Sequence, residues 1–116
     1  MEPLEVETEQ RDNAVILRVA GEVDSYTAPV LQEHLAAAFS EAARHKYAVV
    51  LDMTGVSFLA STGLSALVEY HTRGEDQGIA LRIVAPAGSV LRALRATMLN
   101  DLLELHATLP EALAAG

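Results

Sequence analysis

The feature that most restricts the fold is an uninterrupted apolar segment at residues 47–51, which is followed by Asp52. The segment reads Tyr-Ala-Val-Val-Leu and has no polar position that would meet water if only one face of the strand were buried. Uninterrupted apolar runs are typical of strands that are buried on both faces, as in the middle of a parallel sheet. We therefore expect a sheet in which this strand is central.

Two segments that precede this strand predict an antiparallel hairpin. Residues 4–8 alternate apolar and polar side chains, and residues 14–19 are largely apolar and β-branched. Between them, residues 11–13 read Arg-Asp-Asn, which is typical of a turn.

Three later segments carry apolar residues at intervals of three or four, as expected for helices with one buried face. The predicted helices span about residues 27–44, 61–73 and 89–98. The third has Ser89 as its cap and is expected to bury Met98. Thr108 and Glu111 have the spacing of a capping box, which predicts a fourth, short helix.

Further strands are predicted at residues 79–84 and 103–105, which completes the order β-β-α-β-α-β-α-β-α. Strands that are joined through helices pair in parallel by right-handed crossovers. Residues 1–116 are therefore predicted to form a single α/β domain. Its mixed sheet should have four to five strands, with an N-terminal hairpin and about four helices.

The composition argues against several classes of protein. The chain has no cysteine, which excludes disulfides and thiolate metal sites. Sixteen acidic and eight basic side chains give a net charge of −8, which repels nucleic-acid phosphates and anionic lipids. No leader is recognisable, and no apolar run approaches the roughly 20 residues of a spanning helix. We expect a cytoplasmic protein that binds neither nucleic acid nor membrane directly.

The sequence offers no recognisable catalytic or cofactor motif. Ser61 lies in Leu-Ala-Ser-Thr-Gly, which lacks the Gly-x-Ser-x-Gly form of a nucleophile elbow. A phosphate-binding loop of the Gly-x-x-x-x-Gly-Lys-(Ser/Thr) form is absent. The four histidines have no paired i, i+4 spacing of the kind that zinc sites use. We therefore expect no enzyme, no cofactor and no metal.

The most unusual segment is residues 51–67, which joins the central strand to a helix through small hydroxyl residues. This position places Ser61 and Thr62 at the carboxyl end of a strand and at a helix N-terminus. Free N–H groups and the helix dipole favour an anion at such a point. A phosphate on one of these hydroxyls is therefore electrostatically acceptable.

Residues 52–64 read Asp-Met-Thr-Gly-Val-Ser-Phe-Leu-Ala-Ser-Thr-Gly-Leu. This segment resembles the signature of bacterial anti-sigma-factor antagonists of the STAS type, Asp-x-(Ser/Thr)-Gly-Val-x-Phe-(Ile/Leu/Met)-Asp-Ser-(Ser/Thr)-Gly-Leu, at every position but one. Residues 21–31 also resemble that family, with Gly-Glu-Val-Asp followed by Thr27, Ala28 and Leu31. The similarity therefore extends over most of the chain.

The resemblance implies a phosphorylation switch at Ser61. In this family the unphosphorylated antagonist binds an anti-sigma factor that is also a serine kinase, which releases a sigma factor. Phosphorylation by that kinase ends the binding, and a metal-dependent serine phosphatase restores it. By the same resemblance, the residues expected to bind the partner are Asp24, Thr27, Ser57, Ala60, Ser61, Thr62 and Gly63.

The sequence departs from the family at Ala60, where an aspartate usually precedes the phosphorylated serine. One alternative is that Ser61 is only an N-cap of the helix. Another is a STAS subunit that works without phosphorylation in a lipid-transport or stress-signalling assembly. A third is an enzyme that uses Asp24, Asp52 or a histidine at the strand ends. Phe58 is expected to belong to the core or to act as a hydrophobic staple rather than to anchor a partner, and Asp52 is expected in a hydrogen-bonded turn.

Overall fold

A mixed five-stranded sheet forms the centre of the computed structural model, which describes residues 4–115. The strands are β1 (Glu5–Arg11), β2 (Ala14–Val23), β3 (Ala48–Leu59), β4 (Leu81–Val84) and β5 (Glu104–His106). The helices are α1 (Ala28–His45), α2 (Ser61–Gln77), α3 (Ser89–Ala96) and α4 (Leu109–Ala114), with a 3-10 turn at Leu99–Asp101. The predicted fold class and element order are confirmed. Residues 1–3 and 116 of the predicted domain lie outside the described residues.

The strands lie in the sheet in the same order as in the chain. β1 pairs antiparallel with β2, and each of the other neighbouring pairs is parallel. The predicted hairpin turns through Asp12 and Asn13, whose φ angles of 53° and 64° are left-handed. Two such residues in succession form the turn that matches the twist of paired strands, and Asp and Asn tolerate it well.

One face of the sheet is covered by α1, α2 and α3, and the main core lies between these helices and the sheet. On the other face, α4 covers Ile16, Val50 and Val84 with Ala112. Val50 is fully buried between the two layers, and so are its neighbours Val49 and Leu51. The prediction of a central strand that is buried on both faces is therefore confirmed. Within residues 4–115, no helix has the length and apolar content needed to cross a bilayer.

Three strands are longer than predicted. β1 continues past Thr8 to Arg11. β3 continues past Asp52 to Leu59, and β2 continues past Val19 to Val23. The two strands remain paired there, although the register shifts between Arg18 and Ala20 and again after Gly21. Polar and glycine residues interrupt the apolar pattern in this part of β3 because several of its positions, including Thr54 and Gly55, are exposed.

Two predictions for α3 are wrong. Gly88 occupies the N-cap position, and Ser89 is the first helical residue without a capping hydrogen bond. Helix α3 ends at Ala96, so Met98 lies beyond it and is 70% exposed. The apolar spacing continued past the end of the helix, which is why the sequence placed Met98 on the buried face. At α4 the capping prediction is confirmed, because Thr108 Oγ1 accepts a hydrogen bond from Glu111 N.

Candidate partner-binding site

Ser61 is the first residue of α2 and is exposed. Ala60 occupies the N-cap position in an extended conformation, and its carbonyl oxygen accepts hydrogen bonds from the N–H groups of Gly63 and Leu64. No side chain caps the helix, so the alternative of Ser61 as an N-cap is wrong. The backbone alone forms the turn, and the Ser61 hydroxyl is not needed to hold it.

The start of α2 is electrostatically suited to an added negative charge. Thr62 is exposed beside Ser61, and no acidic side chain lies in the first turn of the helix. The N-terminus of this 17-residue helix carries the partial positive charge of the helix dipole. The fold therefore presents Ser61 to solvent at a point where a phosphate is tolerated.

The loop that follows β2 lies beside this junction. Val23 pairs with Leu59, and the Val23 carbonyl accepts a hydrogen bond of 2.8 Å from Ala60 N. Asp24 and Ala60 therefore leave the sheet side by side. The Asp24 carboxylate turns back onto its own loop and accepts hydrogen bonds from the N–H groups of Tyr26 and Thr27. These bonds, of which that from Thr27 contributes most, lower the pKa of Asp24.

Two of the predicted partner-binding residues are not accessible to a partner. Thr27 is 7% exposed, and its hydroxyl donates to the Glu22 carbonyl at 2.8 Å while accepting from Asp24 N. Gly63 is buried against Val23 and Leu59. Both predictions are corrected, because Thr27 fastens the loop and Gly63 allows close packing. Asp24 is half-buried, whereas Ser57 is exposed with its hydroxyl 3.4 Å from the Gly21 carbonyl.

Exposed aromatic side chains flank the junction on two elements. Phe58 on β3 is 49% exposed, and Tyr26 in the neighbouring loop is 75% exposed. The expectation that Phe58 belongs to the core is wrong, because it occupies an outward position near the end of the strand. Apolar rings that remain in water at one end of a domain are typical of interaction surfaces. The sequence analysis missed Tyr26, because this residue lies in a loop and belongs to no periodic apolar pattern.

An apolar groove of about 510 Å³ adjoins Ser61 on the other side of the junction. We call it the α2 groove, and it is lined by Ser61, Leu64, Ser65, Val68, Glu69, Thr97 and Leu99. One wall is the exposed side of α2, and the other is the turn that follows α3. The helical spacing of Leu64 and Val68 was visible in the sequence, but it indicated only core packing.

The other residues that the sequence suggested for chemistry, Asp52 and the histidines, do not form a catalytic or metal site in the part of the chain that the structure describes. Asp52 accepts hydrogen bonds from the N–H and hydroxyl of Thr54, so it does bond locally, but the predicted turn is wrong because both residues lie within β3. Among residues 4–115, no three histidine, aspartate or glutamate side chains converge in a way that would hold a metal ion. The geometry thus assembles a surface rather than an enclosed centre. That surface contains Ser57, Phe58, Ser61, Thr62 and the α2 groove, with the Asp24 loop at its edge.

Comparison with known proteins agrees with this arrangement. The family model described as the STAS domain matches residues 5–112. The anti-sigma-B factor antagonist of Bacillus subtilis is 29% identical over 104 residues, which cover 90% of this chain and 92% of that protein. The corresponding antagonist of Listeria monocytogenes is 32% identical over 105 residues, with 88% of each protein covered.

The fold comparison leads to the same group of proteins. The crystal structure of an anti-sigma factor antagonist from Mycobacterium paratuberculosis superposes with a TM-score of 0.80 at 30% identity. The superposition covers 97% of this chain and 92% of that one. The chain thus belongs to the STAS domain family of anti-sigma-factor antagonists.

Proposed function

We propose that this protein is a phosphorylation-controlled binding module of the bacterial cytoplasm rather than an enzyme. In its unphosphorylated form it binds an anti-sigma factor that has serine-kinase activity, and a sigma factor is thereby released. The kinase phosphorylates Ser61, which ends the binding, and a serine phosphatase restores the unmodified form. Asp24, Ser57, Ala60 and Thr62 contribute to the same partner-facing surface.

The observation that carries this proposal is the exposure of Ser61 at the edge of an apolar groove. Ser61 is exposed at the start of α2 and lines the α2 groove, and Phe58, three residues earlier in the chain, is also exposed. A phosphoserine adds a charge of about −1.5 to −2 at neutral pH. An apolar partner surface would have to cover that charge, which costs free energy because the phosphate loses water. One modification can therefore prevent docking without refolding the domain.

The absence of the usual aspartate at position 60 is compatible with this switch. Ala60 holds the start of α2 through its carbonyl oxygen and is tied to β2 through its N–H. The side chain at this position is not used in either contact. The backbone at the start of α2, and with it the position of Ser61, therefore does not depend on a carboxylate at residue 60.

The test is a binding measurement with each purified kinase-type anti-sigma factor of the source organism. We expect Ser61→Ala to bind as tightly as the unmodified protein and Ser61→Glu to bind at least tenfold more weakly, as measured by titration calorimetry. Incubation with the kinase and ATP should add one phosphoryl group to the unmodified protein and none to Ser61→Ala, as measured by mass spectrometry. Equal affinities of Ser61→Glu and the unmodified protein would contradict the switch.

Ala60 also favours a second candidate, a STAS subunit of a lipid-transport or stress-signalling assembly that works without phosphorylation. In that case a transporter ATPase or a large assembly should co-purify with the protein in a stable ratio. Ser61→Glu should leave that association unchanged. Stable co-purification that is insensitive to Ser61→Glu would select this candidate over the switch.

A further inference from the structure

Tyr26 is the most exposed of the large apolar side chains in the part of the chain that the structure describes. Of the other two tyrosines, Tyr47 stacks on His45, with 5.1 Å between the ring centroids. Tyr70 packs against Phe39 and donates a hydrogen bond to a carbonyl of α1. Among residues 4–115, no aromatic ring pairs with Tyr26 and no group is hydrogen-bonded to its hydroxyl. The fold therefore makes little use of this side chain.

The turn that carries the ring, residues 24–27, is held by a closed set of hydrogen bonds. Asp24 Oδ1 accepts from the N–H groups of Tyr26 and Thr27, at 2.9 and 3.0 Å. The Thr27 hydroxyl accepts from Asp24 N at 2.9 Å and donates to the Glu22 carbonyl at 2.8 Å. The backbone of Tyr26 is thus fixed on both sides. The direction in which the ring leaves the domain is therefore set before any partner arrives.

This turn lies beside the proposed switch. It follows β2 directly, and the Val23 carbonyl at the end of β2 accepts a hydrogen bond of 2.8 Å from Ala60 N. Because Tyr26 is three residues beyond Val23, the two Cα atoms lie within roughly 11 Å of each other. A partner surface of about 800 Å² is roughly 30 Å across. One partner can therefore cover Ser61 and Tyr26 together.

The surroundings of the ring are acidic. Glu22 is exposed, Asp24 is half-buried, and residues 22–27 contain no lysine or arginine. The hydrogen bonds of the turn lower the pKa of Asp24, so its carboxylate is ionised at neutral pH. A partner that receives the ring meets this negative charge at the edge of the contact. Complementarity therefore favours an apolar cleft with basic side chains at its rim.

We propose that Tyr26 is the anchor residue of the interface and inserts into an apolar, basic-rimmed cleft of the anti-sigma factor. This inference rests on the proposed function and adds a residue that the phosphorylation switch itself does not need. Tyrosine often dominates the free energy of binding, because its ring offers a large apolar area with few rotatable bonds. The fixed turn further lowers the entropy that is lost on binding.

Thr27 acts in this contact as a positioning residue. It is buried and does not touch the partner, but its hydroxyl joins the two ends of the turn that presents Tyr26. Without that hydroxyl, Asp24 N and the Glu22 carbonyl lose their partner and the turn gains freedom. The effect of Thr27 on binding should therefore pass through the Tyr26 ring.

The deciding variant is Tyr26→Ala, tested by titration calorimetry against the anti-sigma factor that binds the unmodified protein. We expect at least about tenfold weaker binding. The melting temperature should not change, because the ring is exposed. Arg44→Ala is the matched control. It removes a similarly exposed long side chain at the opposite end of α1 and should leave the affinity within about twofold.

Two further variants test the chemistry and the positioning. Tyr26→Phe keeps the ring and should bind within about threefold of the unmodified protein, whereas a loss equal to that of Tyr26→Ala would overturn the apolar cleft. Thr27→Val should weaken binding at least about threefold in the unmodified protein and less than about twofold in the Tyr26→Ala background. Equal losses in both backgrounds would show that Thr27 does not act through the ring.

The outcomes separate this inference from the proposed function. If Ser61→Glu loses binding while Tyr26→Ala retains it, the switch stands and Tyr26 is not the anchor. If the unmodified protein binds no kinase-type anti-sigma factor, both proposals fail. Should Thr27→Val not fold, the comparison of Tyr26→Ala with Arg44→Ala decides the anchor by itself.

Discussion

The Asp24 carboxylate shows how a single residue at the edge of the proposed docking surface can also hold that surface in shape. One of its oxygens, Oδ1, accepts both hydrogen bonds from the loop N–H groups and lies 3.2 Å from the Thr27 hydroxyl. The other oxygen is not used in these contacts. Asp24 can therefore order the loop and still offer a charge to a partner.

This role predicts a pH-dependent contribution to stability. The pKa of Asp24 is lowered in the folded protein, chiefly by the hydrogen bond from Thr27 N. Such a group stabilises the fold above its unfolded-state pKa of about 3.9, and the effect is lost as the pH falls through the lower folded value. Asp24→Asn should therefore reduce the free energy of unfolding at about pH 7 and have little effect near pH 2.

Urea unfolding at both pH values measures this difference. The exposed Asp101 provides the matched control, and Asp101→Asn should change the free energy of unfolding by less than about 0.5 kcal/mol at either pH. An Asp24→Asn effect that is equal at the two pH values would show that the charge of the carboxylate is not what orders the loop.

At this scale the sequence predicted the exposed serine but not its surroundings. Ser61 was identified by a motif whose spacing is preserved from Asp52 to Leu64. Phe58 and Met98 were assigned to the core because they are apolar, but an apolar residue can equally lie on the surface, and its type alone does not tell the two apart. Their exposure is decided by where β3 and α3 end, and helix and strand ends are the least predictable part of a sequence.

At the scale of elements, α2 is held in position by its close contact with the ends of β2 and β3. A Cβ atom added at Gly63 would lie 2.4 Å from Leu59 Cδ1 and 2.7 Å from Val23 Cγ1. The first turn of α2 therefore rests directly on these two side chains. This contact fixes the distance between the sheet and the first turn of α2, which carries Ser61.

The contact predicts that Gly63→Ala destabilises the domain even though alanine is the better helix former. Because Val23 and Leu59 are buried and cannot move freely, overpacking should lower the free energy of unfolding by roughly 1–3 kcal/mol. Ser65→Ala, at an exposed position two residues along, is the control and should be neutral or slightly stabilising. Denaturant unfolding compares the two. A Gly63→Ala protein as stable as Ser65→Ala would mean that α2 can shift without cost.

The sequence identified every strand and α-helix, but it placed the ends of β2 and β3 too early. An uninterrupted apolar run indicates where both layers of the domain cover a strand, as at Val50 on one face and Leu51 on the other. Beyond Asp52 the strands extend past that double cover, so their side chains no longer need to be apolar. The extension is held by continued pairing of β2 with β3, which depends on residues far apart in the chain.

At the scale of the whole molecule, the two faces of the sheet are unequally protected. Three helices cover one face, whereas the six-residue α4 alone covers the apolar patch on the other. A helix this short is not stable by itself in water. Its position therefore depends on the contact of Ala112 and its neighbours with the sheet.

A charged side chain between α4 and the sheet should destabilise the domain. Ala112→Asp places a carboxylate at a fully buried position, and we expect a loss of roughly 3 kcal/mol in the free energy of unfolding. Ala114→Asp introduces the same charge at an exposed position of the same helix and should cost less than about 1 kcal/mol. Thermal and urea unfolding distinguish the pair. Equal stability of the two variants would show that α4 does not protect the sheet.

The agreement between strand order and chain order also has a consequence for how the domain forms during synthesis. Each new strand can join a neighbour that has already left the ribosome, so no strand waits for a partner encoded much later. Loop closure is therefore confined to successive segments, which keeps its entropic cost lower than pairing between distant segments would. We expect the hairpin to emerge first and α4 to seal Ile16 and Val50 after the other elements are in place. Until then the nascent chain exposes an apolar sheet face that chaperones can recognise.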